Sequence, residues 1–275
     1  MRISIAAMIF ACGVAACGGK STSFSDAPAA DAIATDSGVS FDAGLTPCTK
    51  PVNKALSFGG AQWVEIADAT SLHVTDLTIE AWAKWKGFPG GLQVVVAKPL
   101  GTQTADSFAL WYESGKLNAG VNPTSPNDAI GYAFTPTLDQ WYHLTFTYEH
   151  TTSTQKLYVD GALVATGTTT SAPLFDTHPV IIGGDLDFEA AQGFFDGELD
   201  EIKLWDSVRD LGEVGLDVHS CTPGSFTGLR AYWALDEGTG QTTADLSGNA
   251  NGGTLGDTTA ADARDPSWID STVPF

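Results

Sequence analysis

The most informative segment of this chain is Gly197-Glu198-Leu199-Asp200-Glu201-Ile202-Lys203-Leu204-Trp205, which predicts a β-strand. Side chains at positions i, i+2 and i+4 of a strand share one face. That spacing predicts that Glu198, Asp200 and Ile202 lie together on one face. The predicted face therefore has two carboxylates followed by an isoleucine, which neither donates nor accepts a proton.

Alternation of apolar and polar residues recurs from Lys50 onward. Residues 76–86 and 141–150 place apolar side chains at every second position, which is typical of half-buried strands. In residues 157–164 the turn Asp160-Gly161 predicts a β-hairpin, since glycine readily adopts a positive φ. Further short strands are predicted at residues 94–96, 108–112 and 180–182, and one short helical turn at residues 207–218. Many short strands separated by turn residues predict a β-sandwich or jelly roll.

The bulk composition limits the classes of partner. The chain has 275 residues, is 43% hydrophobic and has a formal net charge of −20. It is long enough for one sizeable core. We expect no nucleic-acid partner, because phosphate contacts require clustered Lys and Arg. An acidic surface increases solubility, and it favours a divalent cation wherever carboxylates converge.

The N-terminus predicts an export signal. Arg2 supplies a positive charge, and the apolar or small residues 3–14 form a run too short to span a membrane. The run ends in Val14-Ala15-Ala16-Cys17-Gly18, which resembles a bacterial lipobox, whereas Cys12 fits that pattern less well. An ordinary secretory signal is the alternative interpretation.

The lipobox interpretation sets the expected organisation of the chain. Residues 1–16 would be the signal peptide, Cys17 would carry the lipid, and Gly18 in place of an Asp favours the outer membrane or cell surface, with the periplasm as the alternative. Residues 17–49 contain few large apolar side chains, which predicts a flexible, acidic linker. Residues 50–275 would form the folded domain, so the membrane is contacted through the lipid alone.

Two cysteines remain in the mature chain, Cys48 and Cys221. An exported protein enters an oxidising compartment, so we expect them to form one disulfide. Two unpaired thiols are the alternative.

Eight ordered motifs resemble the laminin-G-like and pentraxin-like jelly-roll domains. They are residues 55–66 (ALSFGGAQWVEI), 77–82 (LTIEAW), 140–144 (QWYHL), 157–161 (LYVDG), 197–205, 232–240 (YWALDEGTG), 245–249 (DLSGN) and 266–268 (PSW). The last three resemble a segment that accompanies such domains in bacterial surface proteins. The resemblance covers nearly everything from Lys50 to the end. It implies an all-β, concanavalin A-like jelly-roll sandwich of two antiparallel sheets.

The same resemblance implies recognition of a ligand. Members of this family bind glycans, proteins or phospholipid head groups, often with calcium, and the fold is related to laminarinase-type glucanases. Those enzymes use a Glu-x-Asp-x-Glu strand, in which Ile202 would replace the third carboxylate. We therefore predict a surface-anchored, non-catalytic module for glycan or protein ligands. The alternatives are a glycoside hydrolase-like enzyme and a structural envelope protein without a small ligand.

The resemblance also implies a calcium site. The acidic stretch that contains Asp185 and Asp187 lies where pentraxins carry their metal loop, and Asp106 resembles part of the pair that completes the site. Carboxylate and carbonyl oxygens are the ligands that calcium prefers. Many members carry an Asp where this chain has Gly59, so a site that uses that carboxylate is in doubt. A solvated acidic loop is the alternative, and a structural calcium at Asp200 is a further hypothesis.

Trp111 and Tyr112 are the candidate ligand-binding aromatics. They follow Asp106 on one predicted strand, and aromatic rings provide an apolar surface for a pyranose face. Successive strand residues point to opposite faces, so one ring should be in the core and the other should point outward.

Overall fold

The computed structural model describes residues 50–88, 91–101, 105–122, 128–222 and 226–275. The predicted signal peptide (1–16) and linker (17–49), with Cys17 and Cys48, lie outside the described residues. Among the helices of the described segments, none has the length and apolar composition needed to cross a membrane.

Short strands dominate the described chain, as the alternating pattern predicts. In chain order they are β1 (Lys54–Gly59), β2 (Val64–Ile66), β3 (Leu77–Trp85), β4 (Gln93–Leu100), β5 (Ala105–Glu113), β6 (Lys116–Val121), β7 (Ala129–Ala133), β8 (Trp141–Glu149), β9 (Thr154–Val159), β10 (Ala162–Thr168), β11 (Val180–Ile182), β12 (Asp185–Asp187), β13 (Ala190–Gln192), β14 (Asp196–Trp205), β15 (Leu229–Trp233), β16 (Thr242–Thr243), β17 (Gly253–Leu255) and β18 (Ser267–Asp270). A 3₁₀ turn covers Thr70–Leu72, and one helix, α1, covers Leu211–Asp217.

The strands form two antiparallel eight-stranded sheets. Sheet A has the order β10-β9-β8-β3-β14-β1-β18, with β15 also paired to β14. Sheet B has the order β16-β17-β2-β11-β4-β5-β6-β7, and β12 and β13 form a separate hairpin. The prediction of a concanavalin A-like jelly-roll sandwich is confirmed.

The main core lies between the two sheets. Sheet A contributes large side chains such as Trp85 and Phe146, and sheet B contributes others such as Phe108 and Ile182, all fully buried in one cluster. Burial of apolar area on this scale is the principal favourable contribution to folding, at roughly 25 cal/mol per Å².

The turn and helix that the sequence predicts are also present. Asp160 and Gly161 both have positive φ between β9 and β10, which a two-residue hairpin of the primed type requires. At the start of α1, the Asp210 carboxylate accepts a hydrogen bond from the Glu213 N–H, and the Glu213 carboxylate accepts one from the Asp210 N–H. This reciprocal cap fixes where the short helix begins.

Strand β14 contains a β-bulge that changes its pattern of faces. Asp200 pairs with Trp82 and Lys203 pairs with Glu80, so Glu201 and Ile202 together lie opposite the single residue Ala81. Glu201 has a φ of +54°, and the extra residue lets both acidic neighbours point outward while Ile202 points into the core. The prediction that Ile202 shares a face with Glu198 and Asp200 is therefore wrong.

The outer face of sheet A is covered by the end of the chain. We call Ser271–Phe275 the C-terminal strap. Val273 and Phe275 pack with Trp82, Trp141 and Val218 in a second apolar cluster. An outer sheet face that would otherwise be exposed to water is thereby buried.

Candidate functional site

The three aspartates predicted as metal ligands come together at sheet B. Asp106 lies near the beginning of β5, opposite Pro99 of β4. Asp185 and Asp187 lie on β12, and the charges of both act on Asp106, which shares a hydrogen bond with Asp185. We call Asp106, Asp185 and Asp187 the aspartate site.

A glycine turn directs β12 toward this position. Gly183 has a φ of +77°, and a Cβ there would collide with the ring of Phe58. The Gly183 N–H donates to the Val95 carbonyl, at 3.0 Å between N and O, which fixes the turn against β4. Only glycine satisfies both the positive φ and the close approach.

The aspartate site binds protons more tightly than separate carboxylates would. Burial raises the pKa of Asp106 well above its usual value, and the charges of Asp185 and Asp187 raise it further. Burial and the charge of Asp187 raise the pKa of Asp185 to about 6, although the Leu186 N–H donates to its carboxylate. Burial also raises the pKa of Asp187. Asp106 and Asp185 therefore keep their protons to a higher pH than isolated carboxyl groups do.

The carboxylates of the aspartate site match calcium in the type of ligand atom and in charge. Its donor atoms are carboxylate oxygens, and Asp106 Oδ1 is buried without a hydrogen-bond partner among the described residues. Within the same part of the chain, no three His, Cys, Asp or Glu side chains are spaced to hold a metal ion. The metal role of the three aspartates stays a prediction.

The hairpin tip beside the aspartate site carries an exposed aromatic ring. Phe188 is 67% exposed, and Phe188 and Glu189 have φ values of +51° and +63°. Glu189 is held by His178, whose Nε2 lies 3.1 Å from Glu189 Oε1 and whose Nδ1 lies 2.8 Å from Asp176. The exposed position of Phe188 could not be predicted from the sequence, because a turn with two positive φ values is normally signalled by Asn-Gly or Asp-Gly.

Trp111 and Tyr112 lie on opposite faces of β5, in agreement with strand alternation. Tyr112 is 7% exposed and packs in the core against Trp85. Trp111 is half-buried beside Val94 and Ala109 in an apolar cluster outside the main core. Of the two candidates, Trp111 is therefore the one on the outer surface, and its role in ligand binding stays a prediction.

A second acidic cluster lies on the outer face of sheet A. It consists of Glu198, Asp200 and Glu201, all buried. Burial and the charge of Glu201 raise the pKa of Asp200, whose Oδ2 accepts a 2.6 Å hydrogen bond from Ser271.

Each of the other two carboxylates is neutralised by lysines. Glu198 forms ion pairs with Lys84 and Lys86. Glu201 forms an ion pair with Lys50 and accepts a hydrogen bond from the Tyr232 hydroxyl. Neither set of partners could be predicted from the sequence, because the partners are far from β14 along the chain.

The C-terminal strap covers this second cluster. Phe275 meets Trp82 edge to face at 6.4 Å between ring centroids, and Trp141 Nε1 donates a 3.0 Å hydrogen bond to Thr272 Oγ1. The carboxylates of β14 are therefore paired with cations or hydroxyls and are covered by the protein itself.

Cys221 is the one cysteine among the described residues, and it is buried and disulfide-bonded. Its predicted partner Cys48 lies outside the described residues, so the pairing of these two residues stays a prediction.

Comparisons with solved structures agree with the fold. One similar structure is a presumed carbohydrate-binding protein from Bacteroides ovatus, with 17% identity and a TM-score of 0.62 over 81% of this chain and 61% of that one. The chain thus spans about three fifths of that protein's length. A second is a heptameric pentraxin from Limulus polyphemus, with 19% identity and a TM-score of 0.53 over 76% of this chain and 97% of that one. At such identities the likeness concerns the fold.

Sequence comparison supplies the family. Among curated proteins, none is significantly similar to this chain. A family model described as concanavalin A-like lectin/glucanases superfamily matches residues 58–215, which is more than half of the chain. The protein belongs to this laminin-G-type family of the concanavalin A-like lectin/glucanase superfamily.

Proposed function

We propose that this protein is a non-catalytic recognition module that binds a glycan at the aspartate site. The observation that carries the proposal is the grouping of Asp106, Asp185 and Asp187 at sheet B, where Asp106 contacts Asp185 and its buried Oδ1 receives no hydrogen bond from any other described residue. Buried polar atoms are normally satisfied, so such an oxygen is a candidate contact for a ligand or cation. The likeness to a presumed carbohydrate-binding protein supports glycan as the ligand class.

Calcium is the proposed cofactor. Bound there, it would supply a positive centre that coordinates ligand hydroxyl oxygens. Asp106, Asp185 and Asp187 would hold it after their side chains move closer together than they lie in this structure. Their oxygens are of the type that calcium prefers, and their mutual repulsion disfavours ionisation of all three without a cation. Cation binding would then release protons from the carboxyl groups whose pKa is raised.

The absence of catalysis is proposed from the state of the β14 carboxylates. Glycoside hydrolysis requires one carboxyl group that gives a proton and another that attacks or activates water, both facing the sugar. Glu198 is instead paired with two lysines, Glu201 with Lys50, and Asp200 with the C-terminal strap. None of the three faces open solvent.

The proposed location is the outer membrane or cell surface. It rests on the lipobox-like residues 14–18 and on the acidic linker composition of residues 17–49. A lipid at Cys17 would anchor the protein, and the linker would separate the domain from the membrane.

The experiment is a glycan array probed with the full-length mature protein in millimolar CaCl₂ and in EGTA. We expect binding in CaCl₂ and its loss in EGTA and in the Asp185→Asn, Asp187→Asn double variant. Glu113→Gln, which removes an exposed charge elsewhere on sheet B, is the control and should bind normally. If no glycan binds in either condition, glycan recognition is wrong. Release of reducing sugar from β-glucans by the wild type would contradict the non-catalytic assignment.

A further inference from the structure

A buried lysine lies between two carboxyl groups where the described domain begins. Lys50 Nζ lies 2.8 Å from Asp236 Oδ2 and also contacts the Glu201 carboxylate. The lysine side chain is 9% exposed, and the Glu201 side chain is fully buried. Removal of paired charges from water is costly, and replacement of such a pair by neutral groups is often stabilising. A reaction that converts the lysine and one carboxyl group into a neutral amide would remove this cost.

Asp236 is positioned as the carboxyl group that an amine would attack. Its Oδ1 accepts a 2.9 Å hydrogen bond from the Lys54 N–H, and its Oδ2 accepts one from Lys50 Nζ. The first bond would stabilise the negative charge that develops on Oδ1 during attack. Because a carboxyl C–O bond is about 1.2 Å long, the Asp236 carbon lies roughly 3–4 Å from Lys50 Nζ. Reactive arrangements have a separation of about 3–3.5 Å.

Glu201 is positioned to carry protons. The Tyr232 hydroxyl donates a 2.5 Å hydrogen bond to Glu201 Oε2, while Oε1 contacts the amine of Lys50. Burial raises the pKa of Glu201, and the charges of Lys50 and Lys203 only partly offset this effect. Burial lowers the pKa of Lys50, but Glu201 and Asp236 raise it above its usual value. The ammonium must therefore transfer a proton to Glu201 before the nitrogen can attack.

A cavity of about 370 Å³ lies beside the lysine and both of its neighbours on β15 and the following loop. Tyr232 and Asp236 are among its lining residues, and most of the others are apolar, such as Val52 and Leu246. The Asp236 side chain is 29% exposed, whereas Glu201 is covered. A water molecule released at Asp236 therefore has a route to solvent, and one released at Glu201 would have to leave a closed site.

We propose that Lys50 Nζ and Asp236 Cγ are joined by an isopeptide bond that the protein forms itself, with Glu201 as the proton carrier. The nitrogen forms a bond to Cγ, and the bond from Cγ to Oδ2 breaks. Two of the three ammonium protons pass through Glu201 to Oδ2, which leaves as water. Oδ1 remains as the amide carbonyl oxygen and keeps its hydrogen bond from the Lys54 N–H. One positive and one negative charge disappear together, so no oxidant or other reactant is needed.

The bond would connect the beginning of the described domain to the segment that follows β15. Cys221, which is disulfide-bonded, lines the same cavity as Lys50 and Asp236. A pull on the chain before Lys50 would then act on covalent bonds rather than on the β1 ladder alone. The inference does not depend on glycan binding.

The test is a tryptic peptide map of the full-length mature protein after reduction and alkylation. Trypsin does not cleave between Lys50 and Pro51, so Lys50 lies in peptide 21–54 and Asp236 in peptide 231–264. We expect one branched peptide whose mass is the sum of these two less one water molecule, and fragmentation should place the branch at Lys50 and Asp236. The exposed ion pair of Lys54 with Asp270 has no second carboxylate in contact with its lysine and is the internal control, which should remain unlinked.

Three variants test the roles of the residues, with circular dichroism as the check of folding. Lys50→Arg keeps the positive charge but cannot form the amide, Asp236→Ala removes the group that is attacked, and Glu201→Gln removes the proton carrier. Each should lose the branched peptide completely. If Glu201→Gln does not fold, the wild-type map and Lys50→Arg still decide whether the bond exists.

Separate peptides 21–54 and 231–264 from the wild type would overturn the proposal and leave an ordinary buried ion pair. A branch between Lys50 and Glu201 would overturn the assigned roles of the two carboxyl groups. A branched peptide from folded Glu201→Gln in wild-type yield would overturn the role of Glu201 as proton carrier.

Discussion

Ser271 Oγ donates a 2.6 Å hydrogen bond to Asp200 Oδ2 and so joins the C-terminal strap to strand β14. Asp200 is fully buried and also accepts a hydrogen bond from the Glu201 N–H. A buried carboxyl group needs such partners, because an unsatisfied polar atom loses its interactions with water. Ser271 of the strap therefore supplies one of the two hydrogen bonds that the Asp200 carboxylate accepts.

Replacement of Ser271 by alanine should destabilise the domain. Asp200 would lose a donor at a buried position, which costs about 1–3 kcal/mol. Urea unfolding followed by circular dichroism measures the change. Ser267→Ala, at an exposed position of β18, is the control and should alter the free energy of unfolding by less than about 0.5 kcal/mol. Equal stability of the two variants would show that the hydrogen bond contributes nothing.

Replacement of Ile202 by glutamate should disrupt folding rather than create an active site. The side chain points into the core, so the substitution buries an unpaired carboxyl group and should cost more than about 4 kcal/mol. Ile202→Val, the matched control, should cost about 0.5–1.5 kcal/mol. Soluble expression and urea unfolding measure both. A folded Ile202→Glu variant of wild-type stability would contradict the bulge assignment.

Stability without calcium should depend on the ionisation of Asp185. Its folded-state pKa of about 6 exceeds the ordinary value of about 3.9. Between these pH values the folded state thus binds an extra proton at Asp185. The contribution of this proton to the free energy of unfolding is complete below pH 4 and is lost as the pH rises through 6.

The Asp185→Asn variant isolates this effect. In EGTA the free energy of unfolding of the variant should not fall between pH 4 and 7 as that of the wild type does. At pH 7 it should exceed the wild-type value by on the order of 2 kcal/mol, and the two values should converge near pH 4. Thermal melts from pH 4 to 7.5 measure the difference between the two proteins, so that other titrating groups cancel. Parallel curves would argue against a raised pKa of Asp185 in the folded state.

The disulfide prediction concerns Cys48 and Cys221. Alkylation of the unreduced, denatured protein should leave both residues unmodified, as judged by peptide mass. Loss of the bond in Cys221→Ser should reduce stability by roughly 3–5 kcal/mol on chain-entropy arguments for a long loop. Alkylation of Cys48 in the unreduced wild type would show that Cys221 has another partner.

The anchor prediction concerns Cys17. The Cys17→Ser variant should leave the membrane fraction, whereas Cys12→Ser should remain there. Mass spectrometry of the N-terminal peptide should detect acyl groups on the wild type and on Cys12→Ser, and none on Cys17→Ser. Membrane fractionation of Cys17→Ser, together with a wild-type peptide without acyl groups, would exclude the lipobox interpretation.

Much of the sandwich could be predicted because its strands obey a local rule. The alternation in residues 76–86 and 141–150 corresponds to β3 and β8, whose apolar positions fill the core. The bulge at Glu201 could not be predicted in this way. The partners of the Glu201 carboxylate, Lys50 and Tyr232, are distant in sequence, and period-two analysis assumes an uninterrupted strand.

Only part of the candidate site could be predicted from the sequence. The three aspartates could be named from a family resemblance, since they occupy recognisable positions in the chain. The contact between His178 and Glu189 joins two segments that are separate in the sequence. Sequence periodicity has no information about such contacts between loops.

The covered face of sheet A also determines where a label can be attached without obstructing the aspartate site. Lys50, where the described domain begins, lies with its Nζ 5.5 Å from the ring centroid of Phe275, where the chain ends. Both ends therefore meet on the side of sheet A, and the aspartate site belongs to sheet B. A label attached at Phe275 should therefore lie on the sheet A side and leave the aspartate site accessible to analytes.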